Sequence, residues 1–293
     1  MAARTVLLQQ AAQLNTLHER LNIRTKTSEC SIPLSDISTI LIDNPEVIIT
    51  APLLNKCAEN GVALLVCDKK HIPSGIFLPY NRYFQQKLRL EQQIAFPTIS
   101  AKSVWKRIVT QKIVNQSRCL LFHNHLSQAR DLLQLSRSVK NGDPENIEAR
   151  AAAFYFRTLF GSNFTREQPS AINSSLNYGY AIVRGVLART LTAAGMQPCL
   201  GIHHCSQYNQ FNLVDDLIEP FRPAVDHFAM MNTIGSKEPL DKKLLLQVLL
   251  QRMRVGRATY LLDDACQIIC DGLSRCFEKK SSLIAGLPVL LEG

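Results

Sequence analysis

The chain has 293 residues, 46% of them hydrophobic, and a formal charge of +9, enough for one large domain or two modest ones around a real core. No apolar run reaches the ~20 residues that span a bilayer, and the opening MAARTVLLQQAAQLN lacks the apolar core and cleavage site of a signal peptide, so no membrane partner and a cytoplasmic location are expected. Nine cysteines, odd in number and without a C-x-x-C pair, exclude a four-cysteine zinc motif and fit buried, reduced thiols better than a disulfide framework.

In chain order, the first 76 residues read as β-rich. Leu21, Ile23 and Thr25 alternate with polar neighbours, ISTILI (37–42) and EVIIT (46–50) are β-branched runs, and VALLVCD (62–68) is a buried strand. One helix interrupts them, with Thr50 as cap, Pro52 in its first turn and Asn60-Gly61 at its end. KKHIPSG then reads as a turn, and residues 77–82 as a linker. From Tyr80 the pattern turns helical: 82–95 and 103–124 run without Gly or internal Pro. Asp143-Pro144 signals another helix start. Ser170 caps a long helix with apolar residues at 172, 176, 180, 183, 187 and 191, ended by Gly195, and 240–277 reads as amphipathic helix. The tail SSLIAGLPVLLEG is apolar but punctuated. The expected fold class is α+β: a small N-terminal β-rich domain (1–76) followed by a larger all-helical catalytic domain (83–293). Short strands with open edges favour a homodimer through the β-rich part.

Charge is concentrated. From Arg82 to Arg130 nine basic residues face one acid, Glu91, and the only Trp lies among them. A basic helical stretch of this kind suits phosphate-backbone binding, and double-stranded DNA is the expected partner through Arg82, Lys87, Arg89, Lys102, Lys106, Arg107 and Lys112.

Three places concentrate groups for metal or acid–base chemistry. Glu148 in IEARAAAFYF shares a helix face with Ala152, Tyr155 and Phe156. GIHH (201–204) carries two adjacent imidazoles, of which at most one enters a given site. NLVDDLIEPFRP (212–223) packs Asp215, Asp216 and Glu219 around Pro220, with Pro223 following; each proline removes a helical hydrogen bond, and the distortion exposes oxygens near the acids. Two carboxylates and an imidazole suit Mg²⁺ or Mn²⁺, and beside a basic surface the natural chemistry is at a phosphodiester. A DNA-binding scaffold without chemistry and a small-substrate phosphohydrolase remain alternatives on these residues alone.

IEARAAAFYF (147–156), AINSSLNYGYAIVRGVLARTLTAAGMQPCLGIHH (171–204) and FNLVDDLIEPFRPAVD (211–226), in that order and spacing, resemble the CRISPR-associated spacer-acquisition integrase, an endonuclease family, in its type II-like branch. The resemblance implies a metal-dependent enzyme that inserts spacer DNA into a CRISPR array by 3′-hydroxyl transesterification. It implies Glu148, His204 and Glu219 as catalytic metal ligands for Mg²⁺ or Mn²⁺, with Asp216, Asn173 and Tyr178 close to the site. It also implies a small CRISPR-associated partner protein that bridges two dimers. The family commonly lacks a His where His203 stands.

Overall fold

The computed structural model describes residues 4–69, 73–80, 85–233 and 238–292. Its first part contains β1 (Arg4–Leu8), β2 (Gln13–Leu17), β3 (Arg20–Arg24), β4 (Glu29–Pro33), β5 (Ile37–Ile42), β6 (Ile48–Ile49), α1 (Ala51–Asn60), β7 (Ala63–Cys67) and β8 (Pro73–Phe77). They form two four-stranded sheets, ordered β1-β5-β7-β8 and β4-β3-β2-β6. Within the first, β1, β5 and β7 are parallel and β8 returns antiparallel.

The period of two decides how this sheet is used. All six residues of β5 are buried. Ile40 and Ile42, with Leu64 of β7, pack into a core shared with Leu14, Leu21 and Leu53. Their neighbours Leu41 and Leu65 belong to a second, larger core made mostly by helices. A strand buried on both faces reads as an unbroken apolar run rather than an alternation, which is why ISTILI looks as it does.

The second part holds α2 (Gln86–Ile94), α3 (Thr98–Phe122), α4 (Leu126–Ser136), α5 (Ile147–Phe160), α6 (Ala171–Ala193), α7 (Asn212–Leu217), α8 (Arg222–Thr233), α9 (Lys242–Leu246), β9 (Arg252–Val255), β10 (Ala258–Leu261), α10 (Leu262–Lys279) and β11 (Val289–Leu290). The expected order of a β-rich part followed by a larger, mostly helical one is what the chain adopts. Within the helical part, β9 and β10 form a hairpin inside 240–277, which reads as amphipathic helix, and β11 joins them in a small antiparallel sheet. Gly256, with φ +61°, turns the β9–β10 hairpin, and Arg252–Val255 alternates exposed and buried side chains as a strand does.

Other boundaries moved for local reasons. PSG of the expected turn begins β8; Lys70, His71 and Ile72 lie outside the described residues. Pro144 precedes α5, which starts at Ile147, and the Asp143 carboxylate accepts from the Ile147 and Glu148 amides at 2.9 Å each. Thr50 occupies the N-cap of α1 but makes no capping bond, whereas Ser170 accepts from the Asn173 amide at 3.1 Å. The tail docks on its own chain: Leu290 is fully buried, and its amide donates to Asn115 Oδ1 at 3.1 Å.

Buried α6 is the axis of the helical part. Gly185 lets it approach β7, since a Cβ there would lie 2.7 Å from Leu65 Cδ1, and Gly179 lets it approach α8, where a Cβ would lie 2.5 Å from Val225 Cγ1. The proline-rich run is two helices, α7 and α8, joined by a 3-10 turn at Glu219–Phe221. Pro223 has no amide to offer back to that turn. The Pro220 carbonyl instead accepts from Asn115 Nδ2 of α3 at 2.7 Å.

Candidate active site

The three acids of α7 and the 3-10 turn have separate partners. Asp215 takes a two-pronged pair from Arg184, Nε to Oδ1 at 2.7 Å and Nη2 to Oδ2 at 2.8 Å. Asp216, fully buried, gathers the 201–204 loop: the amides of Ile202, His203 and His204 donate to it at 2.5, 3.1 and 3.1 Å. The loop closes so tightly that a Cβ on Gly201 would run into the His204 carbonyl. Glu219, also buried, accepts from Arg222 Nε at 2.8 Å and forms an ion pair with Lys112.

The loop separates the two imidazoles. His203 stacks flat on buried Trp105, with ring centroids 4.2 Å apart and planes 3° from parallel. His204 sets Nδ1 2.7 Å from Asp216 Oδ1, which commits that nitrogen and leaves Nε2. Burial lowers the His203 pKa. The hydrogen bond to Asp216 raises that of His204 against its own burial.

Lys112 is the meeting point of the remaining carboxylates. Its ammonium, buried on α3, pairs with Glu148 of α5 and with Glu219. Burial would discharge this lysine, but Glu219 and Glu148 keep its pKa raised. Burial would likewise protonate Glu219, yet Arg222 and Lys112 outweigh it and hold the acid down to about 2. Glu219 thus divides its two oxygens, Oε1 to Arg222 and Oε2 to the Lys112 ammonium. Asp143, by bonding the first amides of α5, fixes the base of Glu148.

Carboxylate oxygens from two elements gathered around one buried positive charge are a donor set that fits Mg²⁺ or Mn²⁺. Glu148 and Glu219 are thus brought together by one cation, and the 201–204 loop is fixed to α7 one turn away. Glu148, His204 and Glu219 do not form a compact triad, however. Among the described residues, the one group of three His, Cys, Asp or Glu ligand atoms within 4.8 Å of one another is Cys119, His123 and His227.

Two expected backbone-binding residues are not on the surface. Lys112 and Arg89 are both 6% exposed; Arg89 donates to Glu278 at 2.8 Å and Gln92 at 2.9 Å. Lys87, Lys102 and Arg107 are exposed and Lys106 is half-buried, while Arg82 lies outside the described residues. Asn173 is engaged with its own chain, donating to the Thr165 and Gln168 carbonyls at 2.8 Å each. Tyr178 is buried, its hydroxyl without a hydrogen bond among the described residues, and burial, then Cys67 and Asp43 of the β-rich part, push its pKa up. Sequence reading missed Lys112 and Arg222 as partners of the acids, and Trp105 as the anchor of His203. It also missed the Cys119–His123 pair, whose i, i+4 spacing on one helix was the available signal.

The sequence profile described as CRISPR associated protein Cas1 matches residues 5–238. The CRISPR-associated endonuclease Cas1 of Neisseria meningitidis serogroup C (strain 8013) is 40% identical over 262 residues, 86% of each chain. Among solved structures, a casposase bound to integration product superposes with a TM-score of 0.81 at 17% identity, covering 99% of this chain and 94% of that one. A chain of a Cas6-RT-Cas1–Cas2 complex gives 0.75 at 17%, covering 99% of this chain and 36% of that one. At these identities the two structures show the fold; the profile and the Neisseria relative show more, and by them the chain belongs to the CRISPR associated protein Cas1 family.

Proposed function

We propose that this chain is a metal-dependent DNA endonuclease and integrase of CRISPR adaptation, which joins the 3′-hydroxyl of a spacer fragment directly to a phosphodiester at the repeat. The observation that carries this reading is the convergence of Glu148 and Glu219 on one buried cation, beside a loop that presents His204. Glu148, Glu219 and His204 would hold Mg²⁺ or Mn²⁺. Bound there, the ion would supply Lewis-acid polarisation of a phosphoryl oxygen and stabilise charge on the attacking or leaving oxygen.

The rest is work for side chains of this protein. Asp216 accepts from the loop amides and holds His204 by Nδ1, so the tautomer and ring direction are set before substrate arrives. Arg222 keeps Glu219 ionised inside the protein. Lys87, Lys102, Lys106 and Arg107 bind DNA phosphates, which positions the duplex without reading its sequence. Of the two similar solved structures, one is a casposase bound to integration product and the other a complex of Cas1 with Cas2, which favours strand transfer and a second protein for this chain. We place a homodimer at the open edges of the β-rich part, with that second protein, a small one, bridging two dimers. No helix among the described residues is long and apolar enough to cross a membrane, and we assign the protein to the cytoplasm.

The test is strand transfer. Labelled duplex with free 3′-hydroxyl ends is incubated with a repeat-bearing plasmid, the small partner, and Mn²⁺ or Mg²⁺. Wild type and His203→Ala join label to plasmid. Glu148→Gln, His204→Ala and Glu219→Gln each lose about 100-fold or more, the scale of removing one electrostatic stabiliser of a transition state. Joining by His204→Ala at the wild-type rate would discard this site, and joining that survives a chelator would discard metal dependence.

A further inference from the structure

The seam between α3 and α8 carries a second cluster of chemically competent side chains. Seven residues, or two turns, beyond Lys112, α3 presents Cys119; four residues on, His123 caps the helix, and its amide donates to the Cys119 carbonyl at 3.2 Å, which keeps the two together at the helix end. His227 of α8 meets them. Their ligand atoms all lie within 4.8 Å of one another, with His123 Nε2 3.0 Å from His227 Nδ1. In a tetrahedral zinc site, bonds of ~2.0–2.1 Å set two nitrogens about 3.3 Å apart. The pair is within a few tenths of an ångström of that spacing. The two histidines share one hydrogen bond, and the Cys119 thiol, which also reaches Tyr155, lies beside both.

The donor types separate this cluster from the acidic site. A thiolate and two imidazoles select a borderline-soft ion such as Zn²⁺ and suit Mg²⁺ poorly. Cys119 and His227 are buried and His123 is half-buried, so the side away from the core is that of His123. We propose that Cys119, His123 and His227 bind Zn²⁺, with the fourth position left to water, and that the ion staples α3 to α8 independently of the carboxylate site.

The test uses the full chain, purified, stripped with chelator and reloaded. Zinc binds at one equivalent per chain and raises the wild-type melting temperature. Co²⁺ in its place gives the near-ultraviolet thiolate-to-cobalt band. Cys119→Ser loses that band and at least about tenfold in zinc affinity, while Glu148→Gln keeps both. His123→Ala, at the half-buried position, serves as the second variant should Cys119→Ser not fold, and weakens zinc in the same way. No band in wild type overturns the proposal. So does a band that persists in Cys119→Ser, which would assign it to an exposed thiol such as Cys30, Cys199 or Cys205. Zinc affinity lost in Glu148→Gln and kept in Cys119→Ser would assign the metal to the acidic site and equally overturn it.

Discussion

The ammonium of Lys112 stands between two carboxylates, one positive charge for two negative ones, and both Lys112 and Glu219 are shut away from water. A cation in that position competes with any metal those acids would bind. Lys112→Met therefore tightens Mn²⁺ binding by about tenfold, or ~1.4 kcal/mol, in titration calorimetry. The metal-free variant is less stable by about 3–5 kcal/mol, because a buried pair has lost one partner. Weaker Mn²⁺ binding in Lys112→Met would show that the lysine assists the site instead. Asp226 allows a pH test nearby. Burial, opposed by hydrogen bonds from Tyr180 and Tyr155, raises its pKa from 3.8 to about 6. A folded-state pKa raised above the unfolded one means stability that is present below 3.8 and lost as pH rises through 6. Between pH 4 and pH 6.5 the wild type should thus lose about 2 kcal/mol relative to Asp226→Asn, read from denaturant unfolding across that range; a constant difference would refute it. At this scale the sequence showed which residue types gathered but not their partners. Asp215, Asp216 and Glu219 look equivalent in a string, and only the packed loop, Arg184 and Lys112 assign them separate roles. Lys112 itself reads as a solvated basic residue until α5 and the 3-10 turn close over it.

At the scale of elements, α6 shows what periodicity can and cannot say. Its cap at Ser170 and its apolar residues were legible because capping and the 3.6-residue repeat are local. Its glycines were not, because their reason lies on another helix. Gly179→Ala would set a Cβ 2.5 Å from Val225 Cγ1 and should cost about 1–3 kcal/mol, measured by denaturant melting. Val225→Ala added to it should recover much of that loss, since contacting residues are non-additive. If the two losses simply add, the close approach of α6 and α8 is not the cause. The hairpin of β9 and β10 was hidden for the opposite reason. Each strand is four residues long, too short to establish its own period between a helical turn and α10, and only Gly256 marked it. The junction Asp143-Pro144 misled because a capping acid need not adjoin its helix: here it reaches amides four and five residues on.

For the molecule as a whole, the charge count predicts a partner better than a surface. The excess of basic residues between 82 and 130 divides into groups turned outward and groups spent inside. DNA affinity should fall with salt on a logarithmic slope of about −0.9 per phosphate contact. Replacing Lys102, Lys106 and Arg107 by Ala should flatten that slope by about 3. Arg89→Ala should leave the slope alone and lower the melting temperature, because its guanidinium ties α2 to α10. A slope moved by Arg89→Ala and not by the triple variant would place the DNA elsewhere. One element underlies all of this. The 25 residues of α3 and the His123 that caps them seat Trp105 under His203, Lys112 between the acids, Asn115 against the Pro220 and Pro288 carbonyls, and His123 against His227. Each residue advances a helix by ~100°. One codon gained or lost between Trp105 and His123 would swing every later side chain off its partner at once, where a point substitution costs only one contact. Lineages of this protein can therefore trade residues in α3 but not its length, and insertions should collect in the loops at 137–146 and 161–170.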